Sequence, residues 1–161
     1  MITFLGRNEL LNAFELLDDE LGRMGVEADL FVVGGAAMAV AYDARRATTD
    51  VDAVFVPSKE VRTAASRVAE ELGLEEDWLN DGVKGFLPGE DAEQVGVYEG
   101  ANLHVAAASP KFLLAMKLMA LGNLWCHALW GKLEQGGAWR RKGVSQDDRR
   151  ILEGTNWSVR V

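Results

Sequence analysis

The sequence has a single cysteine and no long hydrophobic run, and both absences restrict what the protein can be. Cys126 alone cannot form an internal disulfide or a cysteine-rich zinc site, which agrees with a reducing compartment. We expect the Cys126 side chain to serve in packing. No run of about 18 apolar residues is present to span a bilayer, and the N-terminal segment turns acidic where a secretory signal remains apolar. The sequence therefore predicts a cytoplasmic protein without a membrane partner.

Well-known catalytic and cofactor motifs are also missing. The sequence contains no Ser-His-Asp set, no P-loop and no dinucleotide-binding glycine motif. His127 lies beside Cys126 without the further ligands that zinc needs. His104 is more consistent with a structural or exposed histidine than with a metal ligand. We therefore look for function outside histidine and cysteine chemistry.

Acidic residues outnumber basic ones, and the excess is unevenly distributed. The formal net charge is -8, which argues against general affinity for nucleic acid. Residues 111–161 hold nine basic and four acidic residues, a balance of +5, which leaves -13 for the first 110 residues. The C-terminal third contains a dense cationic group, made up of Arg140, Arg141, Lys142, Arg149 and Arg150. This group is either an ordinary solvated surface or a contact surface for an anionic partner such as RNA.

Length and periodicity predict one domain of mixed helices and strands. With 161 residues and 48% hydrophobic content, and without a linker or repeat, we expect a single domain over residues 1–161. The segment 77–89 is rich in glycine and predicts a loop with at most one helical turn. The other predicted elements are a helix over Asn8 to Met24, a strand over Leu30 to Val33, a helix over Ala36 to Tyr42, a strand over Asp50 to Phe55, a helix over Lys59 to Leu72, a hairpin of Gln94 to Tyr98 with Asn102 to Ala106, and a helix that opens at Ser109 and Pro110.

The most informative segment joins a glycine turn to a pair of acids. Gly34 and Gly35 follow a predicted strand and precede a predicted helix, so their backbone can approach a phosphate without Cβ obstruction, and the helix N-terminus favours an anion. Asp50 and Asp52 alternate with apolar residues on the next strand and therefore share one face. Two carboxylates on one face can hold Mg²⁺, and Mg²⁺ binds a triphosphate. The segment thus predicts a site for a magnesium-bound nucleoside triphosphate (NTP).

This pattern resembles the nucleotidyltransferase superfamily, in which an apolar residue with two small residues precedes an Asp-apolar-Asp-apolar motif. The match is Val33-Gly34-Gly35 with Asp50-Val51-Asp52-Ala53. Together with WLNDGVKGFLP and ASPKFLLAMKLMA, it resembles the small bacterial branch related to AbiEii and MenT type toxins over a core of about residues 28–120. The resemblance implies an α/β (α+β) nucleotidyltransferase fold, with a small mixed sheet flanked by helices and a helical C-terminal part. Ala36 stands where many members have serine, and residues 121–161 are atypical of the family.

The resemblance also assigns roles to residues outside the motif. Lys117 corresponds to a lysine that contacts the triphosphate. Arg45 and Arg46 are candidates by position and not by the resemblance, because they follow the predicted helix, where a loop can supply cations to phosphate or to the acceptor. A further acid of the family has two candidates here, Asp147 and Asp148. The third strand carboxylate of many members has no counterpart among residues 102–106 apart from His104.

These features predict a Mg²⁺-dependent enzyme that moves a nucleotide from an NTP to a hydroxyl of tRNA or of a protein. The resemblance to toxins implies that the partner of such an enzyme can be an antitoxin. A catalytically silent nucleotide-binding or interaction module is the first alternative. An antibiotic nucleotidyltransferase, which uses the same metal chemistry, is the second.

Overall fold

The computed structural model describes residues 4–42 and 47–133, with side chains described as far as residue 121. The chain divides into two compact units, Met1–Met116 and Lys117–Val161, and the sheet belongs to the first. The helices are α1 (Arg7–Met24), α2 (Gly34–Ala41), α3 (Ser58–Leu72) and α4 (Pro110–Leu133), with a 3₁₀ turn at Gly82–Phe86. The strands are β1 (Ala28–Val32), β2 (Val51–Val56), β3 (Leu79–Asn80), β4 (Val95–Glu99) and β5 (Leu103–Ala107).

The five strands form one mixed sheet in the order β3-β2-β1-β5-β4. Strand β1 lies antiparallel to β2 and parallel to β5, while β4 and β5 form an antiparallel hairpin. Helices α1, α2 and α3 contribute to one hydrophobic core together with alternate residues of the central strands. The mixed sheet flanked by helices that the sequence predicts is therefore confirmed.

Strict alternation along the central strands separates a core face from an open face. Along β2 the buried residues are Val51, Ala53 and Phe55, while Asp52 and Val54 between them are half-buried. Strands β1 and β5 alternate in the same way. This is the pattern of a sheet that packs one face on helices, and it leaves the other face available for polar side chains.

The predicted elements are found with small shifts of their ends. Ser109 caps α4 as expected, because its Oγ accepts a hydrogen bond from the Phe112 N–H at 3.2 Å. The segment 77–89 contains the expected helical turn, as a 3₁₀ turn, but also β3, which was not predicted. Strand β3 has only two residues, which is too short for a periodic pattern to be detected. It forms because it pairs in parallel register with Val51 and Asp52 of β2. No helix within 4–42 or 47–133 has the length and apolar character needed to cross a membrane.

A buried carboxylate attaches the β4–β5 hairpin to α1. Asp18 is 9% exposed, and its carboxylate accepts hydrogen bonds from the backbone N–H groups of Asn102 at 2.6 Å and Ala101 at 3.2 Å. The Tyr98 hydroxyl donates to the same carboxylate at 3.3 Å. A Cβ at Gly100 would overlap the Asp18 side chain, so glycine is required at this turn. One side chain therefore fixes the hairpin position.

We expect Tyr98→Phe to lower stability by about 1 kcal/mol near neutral pH, because the variant lacks the hydrogen bond to Asp18. Burial, and then the negative charge of Asp18, raise the pKa of Tyr98 from 10.0 to about 12. The folded state therefore retains the phenol proton more tightly than the unfolded chain does, so the stabilisation is complete below pH 10 and is lost as pH rises towards 12. Urea unfolding of both proteins across this range should show the gap closing, and a constant gap would contradict the assignment.

Candidate functional site

The glycine turn lies at the point where β1 passes into α2. Gly34 adopts a left-handed backbone conformation with φ of 63°, which disfavours any residue with a side chain. Helix α2 begins directly at Gly34, and no side chain caps this end. The first N–H groups of a helix have no intrahelical acceptor, so the glycine turn presents free donors and the positive end of the helix dipole.

Asp52 is the acid that meets this turn. The Val33 N–H donates to the Asp52 carbonyl at 2.9 Å, which fixes β2 against the residue before the glycines. A Cβ built on Gly34 would lie 3.4 Å from Asp52 Oδ2, so the carboxylate borders the start of α2. Burial, and then the negative charge of Asp50, raise the pKa of Asp52, while a hydrogen bond from the Asn80 side chain lowers it in part. The site therefore concentrates negative charge beside the donors of α2.

Asp50 lies directly before β2, on a segment held by threonine hydroxyls. The Thr48 hydroxyl donates to the Asp50 carbonyl at 2.9 Å, and the Thr48 and Thr49 hydroxyls each lie 3.4 Å from Asp50 Oδ1. Backbone hydrogen bonds between Thr48 and the buried Leu5 anchor this segment to the N-terminus. A Cβ at Gly35 would lie 3.2 Å from Thr48 Oγ1, so the second glycine allows this segment to approach α2. The structure thus brings Gly34, Gly35, Asp50 and Asp52 together.

Asn80 is a site residue that the sequence analysis did not predict. It pairs with Asp52 across β2 and β3, and its side-chain oxygen accepts a hydrogen bond from the Gly82 N–H at 3.2 Å. The side chain is therefore fixed by the turn that follows it while it bonds to Asp52. The Asn-Asp-Gly run at 80–82 is typical turn chemistry, and this signal alone could not reveal a role at the site.

Of the other predicted site residues, Lys117 alone lies in the described part of the chain. Lys117 is exposed on α4, where the second compact unit begins. Arg45 and Arg46, the acids Asp147 and Asp148, and the C-terminal cationic group lie outside the described residues. The roles of these residues stay predictions. His104, which was expected to be structural or exposed, lies on β5 beside Asp29, and its side chain is 48% exposed.

The described site is a pair of carboxylates and not a larger metal cluster. Among residues 4–42 and 47–121, no three His, Cys, Asp or Glu side chains come together in a way that could hold a metal ion. An acid beside an uncapped helix start, with a second acid near enough to affect its pKa, can share one divalent cation with the oxygens of a phosphate, because Mg²⁺ normally takes only one or two protein carboxylates. The arrangement is therefore suited to a metal that arrives with its phosphate ligand.

Comparison with known proteins gives no family for this chain, since no family model, curated protein or solved structure matches it. The mixed sheet flanked by helices is shown by the structure, whereas the nucleotidyltransferase fold stays a prediction from the motif. The function must therefore be inferred from the geometry of the glycine turn and the two acids.

If the glycine turn binds a triphosphate, Gly34→Ala should weaken that binding by roughly tenfold or more, and it should lower stability by about 1–2 kcal/mol in either case. A methyl group at this position strains the left-handed backbone and fills the space between α2 and Asp52. Calorimetric titration with each Mg-NTP measures the first effect, and thermal unfolding measures the second. Gly73→Ala is the matched control, because Gly73 has φ of 65° at the end of α3, with no atom within 4 Å of its added Cβ. Equal loss of NTP affinity in both variants would contradict a phosphate role for Gly34.

Proposed function

We propose that the protein is a Mg²⁺-dependent nucleotidyltransferase. The observation that carries this proposal is the position of the Asp52 carboxylate, which borders the start of α2 at Gly34 while Asp50 lies close enough to raise the pKa of Asp52. Acidic side chains are normally kept away from one another unless a cation joins them. The helix start would attract the anionic triphosphate, and the paired acids would attract the cationic metal bound to it.

Asp50 and Asp52 fit a magnesium ion by their chemistry. Both are carboxylates, which Mg²⁺ prefers, and Asp52 is only partly hydrogen-bonded within its strand pair. Burial already makes its charged form costly, and a cation would remove that cost. When bound, the metal neutralises phosphate charge and helps to lower the pKa of the attacking hydroxyl.

The start of α2 is the proposed binding site for the triphosphate. The N–H groups of Gly34, Gly35 and Ala36 belong to the first helical turn, whose donors have no partner within the helix. Glycine at the first two positions lets phosphate oxygens reach these donors directly. Ala36 offers the backbone donor without the hydroxyl that a serine would add.

The proposed reaction is an in-line displacement at the α-phosphorus. An oxygen of the acceptor hydroxyl bonds to the α-phosphorus, and the bond to the bridging oxygen of the β-phosphate breaks. Pyrophosphate leaves with the electrons of that bond, and the hydroxyl proton passes to solvent or to a nearby base. Asp50 and Asp52 would hold the metal that accompanies the triphosphate, and the donors of α2 would hold the phosphate oxygens against movement. Lys117, by the family resemblance, and Arg46, by its place in the sequence between the glycine turn and the acids, are proposed to supply further positive charge.

The acceptor that we propose is the hydroxyl of an RNA, with tRNA as the first candidate. This choice rests on the toxin resemblance and on the cationic residues of the C-terminal third. If Arg140 and Arg141 contact RNA phosphates, replacing both with alanine should weaken tRNA binding and reduce its salt dependence, and NTP binding should be unchanged. A protein hydroxyl or an antibiotic is the alternative acceptor, and an antitoxin is the proposed regulatory partner.

The decisive experiment incubates the purified chain with each α-labelled NTP, Mg²⁺ and total tRNA, with EDTA-treated reactions in parallel. Label transfer to tRNA that requires Mg²⁺ is the expected result. Parallel reactions contain purified cellular protein or an aminoglycoside in place of tRNA. NTP binding without transfer to any of these acceptors would favour the catalytically silent module, for which the pair of acids without a third partner in the described part is the supporting observation.

A further inference from the structure

Strand β3 has only two residues, and the contacts of Trp78 directly before it fix its position. Trp78 is 1% exposed, and its indole N–H donates to the Ala65 carbonyl on α3 at 3.0 Å. The Trp78 carbonyl accepts a hydrogen bond from the Val51 N–H at the start of β2. A strand of two residues has few ladder hydrogen bonds of its own, so these contacts determine where Asn80 lies.

The Asn80 side chain presents its amide nitrogen to the proposed site. Asn80 pairs with Asp52 in the parallel register of β2 and β3, whereas its neighbour Leu79 is buried in the core. The Asn80 side-chain oxygen is directed at the following turn, where it accepts the Gly82 N–H at 3.2 Å. The NH₂ group is therefore the part that faces the Asp52 carboxylate. Because an amide NH₂ group donates hydrogen bonds and does not bind a cation, Asn80 in this orientation is a partner of Asp52 and not a metal ligand.

Asp52 has few other groups that could hold its carboxylate in place. Burial, and then the negative charge of Asp50, raise the pKa of Asp52, and the hydrogen bond from Asn80 opposes both. Towards α2, the carboxylate borders only the open position of a Gly34 Cβ, 3.4 Å from Asp52 Oδ2. In the described part of the chain, Asn80 supplies the only side-chain hydrogen bond to Asp52. A carboxylate repelled by a like charge turns away unless a donor fixes it, and Asn80 is that donor.

We propose that Asn80 is a positioning residue, whose amide group holds the Asp52 carboxylate towards the start of α2. A cation bound by Asp52 then lies beside the phosphate donors of α2. This inference rests on the proposed function, because it gives Asn80 a part in the same metal-dependent site. Side chains that hydrogen-bond to a metal-binding group fix its orientation, and their loss typically lowers metal affinity by about 10–100-fold.

The first test needs neither metal nor nucleotide, because it measures how fast the Asn80 side-chain amide protons exchange with water in ¹⁵N-labelled protein. Asp52→Ala removes the acceptor, so we expect exchange to be faster by roughly fivefold or more. Asp50→Ala is the matched control, because it removes a neighbouring negative charge and leaves the acceptor in place. Its exchange rate should stay within about twofold of that of the unmodified chain. Equal acceleration in the two variants would show that charge alone governs the exchange, and it would overturn the proposal.

The second test measures the Mg²⁺ concentration that gives half-maximal label transfer at saturating NTP. Asn80→Ala should need roughly tenfold more Mg²⁺ than the unmodified chain, while the KM for NTP in excess Mg²⁺ stays within about twofold. Asp81→Asn is the matched control, because it weakens the ion pairs of the same turn with Arg62 and Lys84 but keeps the Asn80 amide. Its Mg²⁺ requirement should change by less than about twofold, since these pairs are partly exposed.

The two tests separate the positioning role from the proposed function. If Asn80 only supports the turn, Asn80→Ala loses stability but keeps the Mg²⁺ requirement of the control, which would refute the positioning role. Absence of transfer by the unmodified chain with every acceptor would instead refute the proposed function, and the exchange rates would still report whether Asn80 holds Asp52. Circular dichroism verifies that each variant is folded. The exchange test retains Asn80 itself, so it stays valid even if Asn80→Ala does not fold.

Discussion

Replacing Asp52 with asparagine is expected to reduce nucleotide transfer by about a thousandfold or more while stability stays the same or increases. Asparagine keeps the size of the side chain but removes the charge that would bind the metal. The same charge is costly in the free protein, because burial and the neighbouring Asp50 both disfavour it. Its removal should therefore cost no folding free energy, unlike the loss of a residue whose role is structural.

Label transfer from NTP under saturating Mg²⁺ measures the activity, and urea unfolding measures the stability of both proteins. Asp77→Asn is the control, because Asp77 is an exposed aspartate outside the proposed site. It should retain full transfer. Transfer by Asp52→Asn at the rate of the unmodified chain would refute the mechanism, and a large loss of stability would assign Asp52 to the fold instead.

The fold was predictable where side-chain periodicity is long and regular. Helix α1 buries Leu10, Phe14, Leu17 and Leu21 at helical spacing, and the prediction of this helix differs from the structure by one residue at its start. Strand β3 could not be predicted, because two residues have no period and pairing with β2 determines them. The order of the strands in the sheet was also not accessible, because it depends on contacts between distant segments.

The site was predictable to the extent that it follows from one short segment. The sequence pattern predicted Gly34 and Asp52 at the ends of neighbouring strands. In the structure, a Cβ atom added to Gly34 would lie 3.4 Å from the Asp52 carboxylate. The contributions of Thr48 and Asn80 were not predictable, because they arise from hydrogen bonds made after folding. Thr48 bonds to Asp50 and is itself held by backbone hydrogen bonds to Leu5, which precedes α1 in the chain.

Asp18 and Asp52 have opposite surroundings in this structure. Asp52 faces few donors and a like charge, which is a poor arrangement for folding and a suitable one for binding a cation. Asp18 faces two backbone donors and a hydroxyl, which satisfies the carboxylate entirely within the fold. The hydrogen-bond partners therefore distinguish an aspartate that is satisfied within the fold, Asp18, from one that remains suited to a cation, Asp52, a difference that the sequence alone does not reveal.

Replacing Asp18 with alanine is accordingly expected to lower the free energy of unfolding by about 3 kcal/mol. The variant leaves the N–H groups of Ala101 and Asn102 and the Tyr98 hydroxyl without their acceptor, in a region that is largely buried. It also frees the turn at Gly100, which the carboxylate contacts closely. Hydrogen exchange should therefore increase first in the β4–β5 hairpin.

Urea unfolding followed by circular dichroism measures the loss, and Asp19→Ala is the matched control on the same helix. Asp19 is exposed, so its replacement should change stability by no more than about 0.5 kcal/mol. Asp18→Asn should be intermediate, since one oxygen still accepts a hydrogen bond while the new amide group faces a backbone donor. Equal stabilities of the Asp18 and Asp19 alanine variants would show that apolar contacts hold the hairpin. Asp18 would then contribute no more to the free energy of unfolding than an exposed acid does.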